Sequence, residues 1–152
     1  MEVAKSIVLD ANIVISTVLG VGARRLVNAH AGEAWLCAPQ EAFDDARRHL
    51  PTVAHNRGWA DATLAAALEA LGKLEHLVHP IEPDTYASQL TEAHLRIDGR
   101  DPKDAPILAT SLLLSCPIWT EDQDFFGTGV ATWTTDRVEL YLSPDRPSIH
   151  LG

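Results

Sequence analysis

The sequence predicts a three-layer α/β/α fold around a five-stranded parallel sheet. Three observations carry that expectation. Short apolar runs alternate with helix-like stretches, the pattern of parallel strands joined by crossover helices. Residues 5–10, Lys-Ser-Ile-Val-Leu-Asp, form a continuous apolar run that closes on a carboxylate, as in a central strand buried on both faces. Finally, two acidic clusters, at 101–106 and 120–126, bracket a segment too hydrophobic to be anything but core.

The elements follow in order. After the first strand, residues 13–19 read as a helix despite their β-branched content, broken by Gly20 and Gly22. A second helix spans 23–31 and ends at Gly32. Residues 35–38 are the second strand, stopped by Pro39, and 40–50 form a helix bearing Glu41, Asp44, Asp45, Arg47 and Arg48. Within 60–74, Leu64, Leu68, Leu71 and Leu74 recur at helical spacing as one apolar stripe. A third strand is expected at 76–79. Pro83 then opens a helix in which Tyr86, Leu90, Ala93 and Ile97 line one face, since proline fits a first helical turn. For the same reason Pro106 belongs in the first turn of a helix whose body is 107–115, and Asp104 lies at its positive end. A buried strand at 117–120 stops just short of Asp122. The fifth strand is expected at 130–133 and a closing helix at 137–142, with a loose tail after about residue 143. No repeat, linker or low-complexity stretch divides the 152 residues, so 1–152 reads as a single domain.

Composition removes several classes of function. With 46% hydrophobic and 22% charged residues the chain is globular rather than disordered. No apolar run approaches the roughly 20 residues of a membrane span. Residues 6–14 are interrupted by Asp10 and Asn12 and lack the basic flank of a signal peptide. Cys37 and Cys116 form neither a disulfide framework nor a zinc signature, which points to a reducing cytoplasm. His30, His49, His55, His76, His79, His94 and His150 show no zinc-like grouping and read as surface or packing residues. Trp35, Trp59, Trp119 and Trp133 read as core or boundary residues. A net charge of −9 predicts weak non-specific affinity for nucleic acid. That objection is partial, because an acidic site that holds divalent cations carries its compensating charge as metal.

The chemistry gathers at one rim. Asp10, Asp104 and Asp122 come from separate stretches, yet all fall at strand ends or helix starts, and open parallel sheets bind ligands at the carboxyl ends of strands. A fourth carboxylate is expected from the helix after the second strand. Clustered carboxylates repel, and without a cation some would hold protons. Oxygen donors of this kind select Mg²⁺ or Mn²⁺, and such a site can activate water against a phosphodiester. Each acid also has a purely structural alternative, as a turn residue, a cap or a partner of the helix dipole. Arg24, Arg25, Arg47, Arg48, Arg100 and Lys103 are the basic groups near this rim, and Arg47, Arg48 and Lys103 are the candidates for touching substrate phosphates.

These residues resemble a known family. Val8-Leu9-Asp10-Ala11-Asn12, then Ala38-Pro39 with the acids and Arg47-Arg48-His49-Leu50 behind it, is similar to the first half of a PIN domain. Asp101-Pro102-Lys103-Asp104 with Pro106, and Trp119-Thr120-Glu121-Asp122-Gln123-Asp124-Phe125, resemble its second half. The resemblance implies strand order 3-2-1-4-5 and a metal-dependent ribonuclease, VapC-like toxins of toxin–antitoxin pairs among them. It implies that Asp10, Asp104 and Asp122 match the first, third and fourth acids, and Asp124 a frequent extra one. Asp45 is aligned with the second acid, where the family usually has Glu; Asp44 and Glu41 are the alternatives. It implies that Asn12 and Thr120 hydrogen-bond the site carboxylates, while Asp101 caps or orients. The expected catalytic and metal-binding set is therefore Asp10, Asp45, Asp104 and Asp122, with Asp124 as a further ligand. Expected partners are RNA, an antitoxin protein if the chain is a toxin, and a second copy paired through the apolar faces of residues 13–19 and 64–74.

Two other classes compete. A PIN-fold module that binds RNA or protein without turnover would not need carboxylates at all four positions, which this chain keeps. A dehalogenase-type phosphatase wants Asp two residues after the first acid, where Asn12 stands, and a phosphotransfer receiver wants a lysine after its last strand, where none of Lys5, Lys73 and Lys103 lies.

Overall fold

The first strand sets the layout. In the computed structural model, which describes residues 5–143, β1 (Ser6–Leu9) has Ile7, Val8 and Leu9 fully buried and is paired on both sides. The other strands are β2 (Trp35–Pro39), β3 (Val78–Ile81), β4 (Ile118–Trp119) and β5 (Thr132–Trp133). All pairs are parallel and the order is β3-β2-β1-β4-β5, as the sequence resemblance implied. Because the chain steps from β1 toward β2 and β3, then returns to β4 on the other flank, the order reverses at β1. A crevice opens there at the carboxyl ends of β1 and β4.

Helices cover both faces, making the three layers. The first group is α1 (Ala11–Leu19), α2 (Gly22–His30), α3 (Gln40–Asn56) and α4 (Asp61–Leu74), in which α1 packs on the other three. The second is α5 (Pro83–Tyr86), α6 (Leu90–Arg96) and α7 (Ala105–Leu114), with α7 against β1, β2 and β4. Helix α7 carries apolar residues all round, as suits a helix set between sheet and helices, and its two polar side chains, Thr110 and Ser111, are buried with their hydroxyls on the Pro106 and Cys116 carbonyls. It stops where Ser115 takes a left-handed conformation, φ 52°, as a C-terminal cap. A last helix, α8 (Val138–Leu142), buries Val138 and Leu142. No helix among the described residues is long and apolar enough to cross a membrane.

Several boundaries differ from expectation. The helix expected at 40–50 continues as α3 to Asn56, through Pro51. Proline deletes one helical hydrogen bond, but Pro51 is on the exposed side, where water can satisfy the freed Arg47 carbonyl. The third strand lies two residues later than 76–79, because after Leu74 the chain needs a turn. The His76 and Leu77 amides donate back to the Lys73 and Leu74 carbonyls before Val78 can pair with Leu36. Its Pro80 is tolerated because β3 is an edge strand. The helix expected after Pro83 is split by a 3-10 turn at Ala87–Gln89, although Tyr86, Ala93 and Ile97 still face the core. Strands four and five are shorter than 117–120 and 130–133, and the loose tail expected after 143 lies outside the described residues.

Two polar features of the core are structural. His30 is 6% exposed, with Nε2 3.3 Å from Glu139 and Nδ1 3.6 Å from Glu33, so it ties α8 to the end of α2. Cys37 and Cys116 are free and buried; burial pushes both thiols up, Cys116 to about 11, which makes them poor nucleophiles.

Candidate metal centre

Three segments deliver carboxylates to the crevice. β1 ends at Leu9, so Asp10 sits at its carboxyl end and opens α1, only 4% exposed. Beyond β4 come Thr120, 2% exposed, and Asp122. Between them in sequence, Asp101 Oδ1 accepts from the Lys103 amide at 3.0 Å and starts the 3-10 turn Pro102–Asp104. That turn carries Asp104 to the start of α7. A carboxylate is favoured there by the helix dipole, and Pro106 in the first turn costs no hydrogen bond.

One hydroxyl joins two of these segments. Thr120 Oγ1 donates to Asp10 Oδ2 at 2.7 Å and accepts from the Asp122 amide at 2.8 Å. Asp122 Oδ1 in turn accepts from the Asp124 amide at 2.9 Å, which folds Gln123–Phe125 into a 3-10 turn. Carboxylate oxygens of Asp104, Asp122 and Asp124 thereby lie within 4.8 Å of one another. Asp10 borders this trio without belonging to it.

The electrostatic cost falls on Asp104. Burial pushes its carboxyl up to about 7, and the charges of Asp10, Asp122, Asp101 and Asp124 add to the rise. Asp10 is raised as well, chiefly by burial, against the opposing hydrogen bonds from Thr120, Ala11 and Asn12. Asp104 Oδ2 is buried with no hydrogen-bond partner. An orphaned carboxylate oxygen beside three other acids, with no nitrogen or sulfur donor in the set, fits a hard divalent cation such as Mg²⁺ or Mn²⁺.

The opposite wall is α3. It lines a cavity of about 640 Å³ with Glu41, Asp44, Asp45, Arg48 and His49, while Asp10, Asn12, Asp101, Lys103, Asp104 and Asp122 face it from the other segments. Asp45 is ion-paired with Arg48 one turn along the helix and lies outside the close trio. Asp44 accepts from Gln40 at 3.1 Å. Arg47 pairs with Glu75 and does not line the cavity. Asn12 lines it without a side-chain hydrogen bond to a carboxylate among the described residues. His49 is exposed, as a surface reading expects, and also lines the cavity. Positions 41, 45 and 49 share one helical face, so a helix that offers Asp45 to the crevice offers His49 too.

The model of the PIN domain matches residues 8–143, from the middle of β1 to the end of α8. The chain belongs to that family. PIN domains are in general metal-dependent nucleases, and the acidic cluster at the β1–β4 crevice is the feature of this chain that suits such chemistry. Comparison with curated proteins finds no match.

Proposed function

We propose that this PIN domain is a Mg²⁺- or Mn²⁺-dependent endoribonuclease that hydrolyses RNA phosphodiester bonds. The observation that carries the reading is the buried, unpartnered Asp104 Oδ2 within a group of carboxylates too close to remain charged together without a cation. Asp10, Asp104 and Asp122 would hold the ion with Asp124, and Asp45 would approach from α3. When bound, the ion supplies Lewis-acid activation of water and neutralises charge on the phosphodiester. The chain's own groups orient and bind. Thr120 fixes Asp10 relative to the Asp122 backbone, and Asp101 caps the turn that presents Asp104. Arg48 and Lys103 stand in the cavity wall where substrate phosphates would pass, a better position than that of Arg47. By family resemblance the products carry 5′-phosphate and 3′-hydroxyl ends.

The finer reading is a VapC-like toxin in the cytoplasm, neutralised by a separate antitoxin chain; two free buried thiols suit that compartment. Pairing of two copies would use what α1 and α4 leave outside, since Ile13, Val14, Leu71 and Leu74 are spent on the chain's own core. Ile15, Leu64 and Leu68 are only partly covered.

A cleavage assay on mixed RNA with Mn²⁺ tests the activity, comparing the parent with Asp10→Asn and Asp104→Asn. Cleavage by the parent alone is expected; equal cleavage by all three would refute the assignment. One observation favours a second reading, a module that binds RNA or protein without turnover: the α3 acid aligned with the family's second ligand is occupied by Arg48. Mn²⁺ binding with no cleavage by the parent would select it.

A further inference from the structure

The loop after β4 holds two acids, Asp122 and Asp124, in a place where like charges push it away from Asp104. Something must hold it there. Two guanidinium groups from the end of α6 and the turn beyond reach across to its backbone. Arg96 Nη1 donates to the Thr128 carbonyl at 2.9 Å, while its Nε is braced on Glu92 Oε2 at 3.0 Å. Arg100 Nη1 donates to the Asp124 carbonyl.

The loop is shaped to receive them. Gly127 and Gly129 have φ of +82° and +86°, a region that residues with a side chain rarely adopt. A Cβ on Gly129 would stand 3.0 Å from Arg96 Nη1, and one on Gly127 would stand 3.7 Å from Arg100 Nη2. The far end is anchored where Thr128 Oγ1 donates to the buried Phe125 carbonyl at 2.7 Å. The segment that carries these arginines runs directly into Asp101 and Asp104. It therefore supplies one acid to the cluster and grips the loop that supplies two more.

We infer that Arg96 and Arg100 are positioning residues, a pair of cationic clamps that hold the 122–129 loop against carboxylate repulsion and set the spacing of Asp122 and Asp124 from Asp104. Neither lines the cavity; they act through the loop backbone. The inference rests on the metal-centre reading for its consequence, not for its geometry. Arginine suits the task because its donors are fixed in a rigid planar fork, so that Arg96 meets Glu92 through Nε and the Thr128 carbonyl through Nη1, whereas a lysine's single flexible ammonium fixes no such geometry.

The test takes the full chain and the Arg96→Ala/Arg100→Ala double variant, with Arg24→Ala/Arg25→Ala as a control for the two lost charges and Arg96→Lys/Arg100→Lys as the conservative pair. Amide hydrogen exchange is measured on the metal-free proteins, and Mn²⁺ alone is titrated by calorimetry. Exchange at residues 124–129 is expected to quicken at least about tenfold in the alanine pair, with the β1 amides unchanged. Mn²⁺ affinity should fall about 10- to 100-fold, the usual cost of losing groups that orient a ligand, and the lysine pair should recover only part of it. Gly129→Ala, which leaves both arginines in place, should lower affinity in the same direction. Unchanged exchange in the loop would overturn the clamp, whatever the metal does. Faster exchange with parental Mn²⁺ affinity would overturn its positioning role. Failure of the parent itself to bind Mn²⁺ would remove the metal centre, and the exchange data would still decide whether the clamp exists.

Discussion

Both walls of the crevice carry acids and treat them differently. On the β4 side, Asp10, Asp104, Asp122 and Asp124 are tied to the scaffold through Thr120, backbone amides and a 3-10 turn, and they face one another across short distances. On the α3 side, Asp44 and Asp45 lie on an open helix and find local partners in Gln40 and Arg48. A carboxylate with a cation one turn away, as Asp45 has in Arg48, has its charge partly offset by its own helix. A carboxylate built into a strand end, surrounded by its own kind, is not. Among the described residues the first wall gathers its acids without a cationic partner and the second pairs Asp45 with Arg48, so under the proposed reading the strongest pull on a divalent ion comes from the first.

That contrast can be broken most decisively by paired substitutions. Asp104→Asn should reduce Mn²⁺-dependent RNA cleavage by at least about 100-fold, whereas Asp45→Asn should cost less than about tenfold. Single-turnover cleavage checks both, and equal losses would bring α3 into the ligand set. Next in size is Thr120→Val, which removes the hydroxyl joining Asp10 to the Asp122 amide. A drop of about 10- to 100-fold in Mn²⁺ affinity is expected by calorimetry, and an unchanged affinity would mean the two acids hold their places unaided.

The pH dependence sharpens the same point. Asp104 titrates near 7 in the folded protein against about 3.9 in an unfolded chain, so between those values the native state holds a proton that the unfolded state has lost. Its contribution favours folding at low pH and is lost as pH rises through about 7. Metal-free parent should therefore lose on the order of 1–2 kcal/mol between pH 5 and pH 7.5 relative to Asp104→Asn, and Mn²⁺ at pH 7.5 should restore it. Urea titrations at the two pH values measure this, and parallel curves for parent and variant would leave Asp104 uninvolved. The smallest effect is expected from Arg48→Ala. It should weaken RNA binding by a few fold and lower the salt slope by about 1, while leaving the Mn²⁺ affinity of the β4 wall intact.

Particular residues show how far local pattern carries. The unbroken Ile7-Val8-Leu9 run ending in Asp10 announced a central parallel strand with an acid at its carboxyl end, and β1 is that strand. The Leu64–Leu74 stripe gave α4, although Leu68 stays 36% exposed. Apolar pattern misplaced β3 because it cannot register the turn a chain needs between a helix and an edge strand. Pattern also ended the 40–50 helix too early: the exposed Pro51 interrupts one hydrogen bond without ending a long amphipathic helix.

The type and order of the strands and helices, and the acids that lie between them, were determined by the sequence alone, because each depends on periodicity and on chemistry within a few neighbours. Which oxygens meet was decided only by the tertiary structure. Thr120 and Asp10 lie 110 residues apart and share a 2.7 Å hydrogen bond, Asp124 joins Asp104 through a folded turn, and Arg96 and Arg100 grip a loop some 24 to 32 residues downstream. The physical reason is that burial and charge pairing are properties of neighbours in space, and no spacing along the chain specifies them.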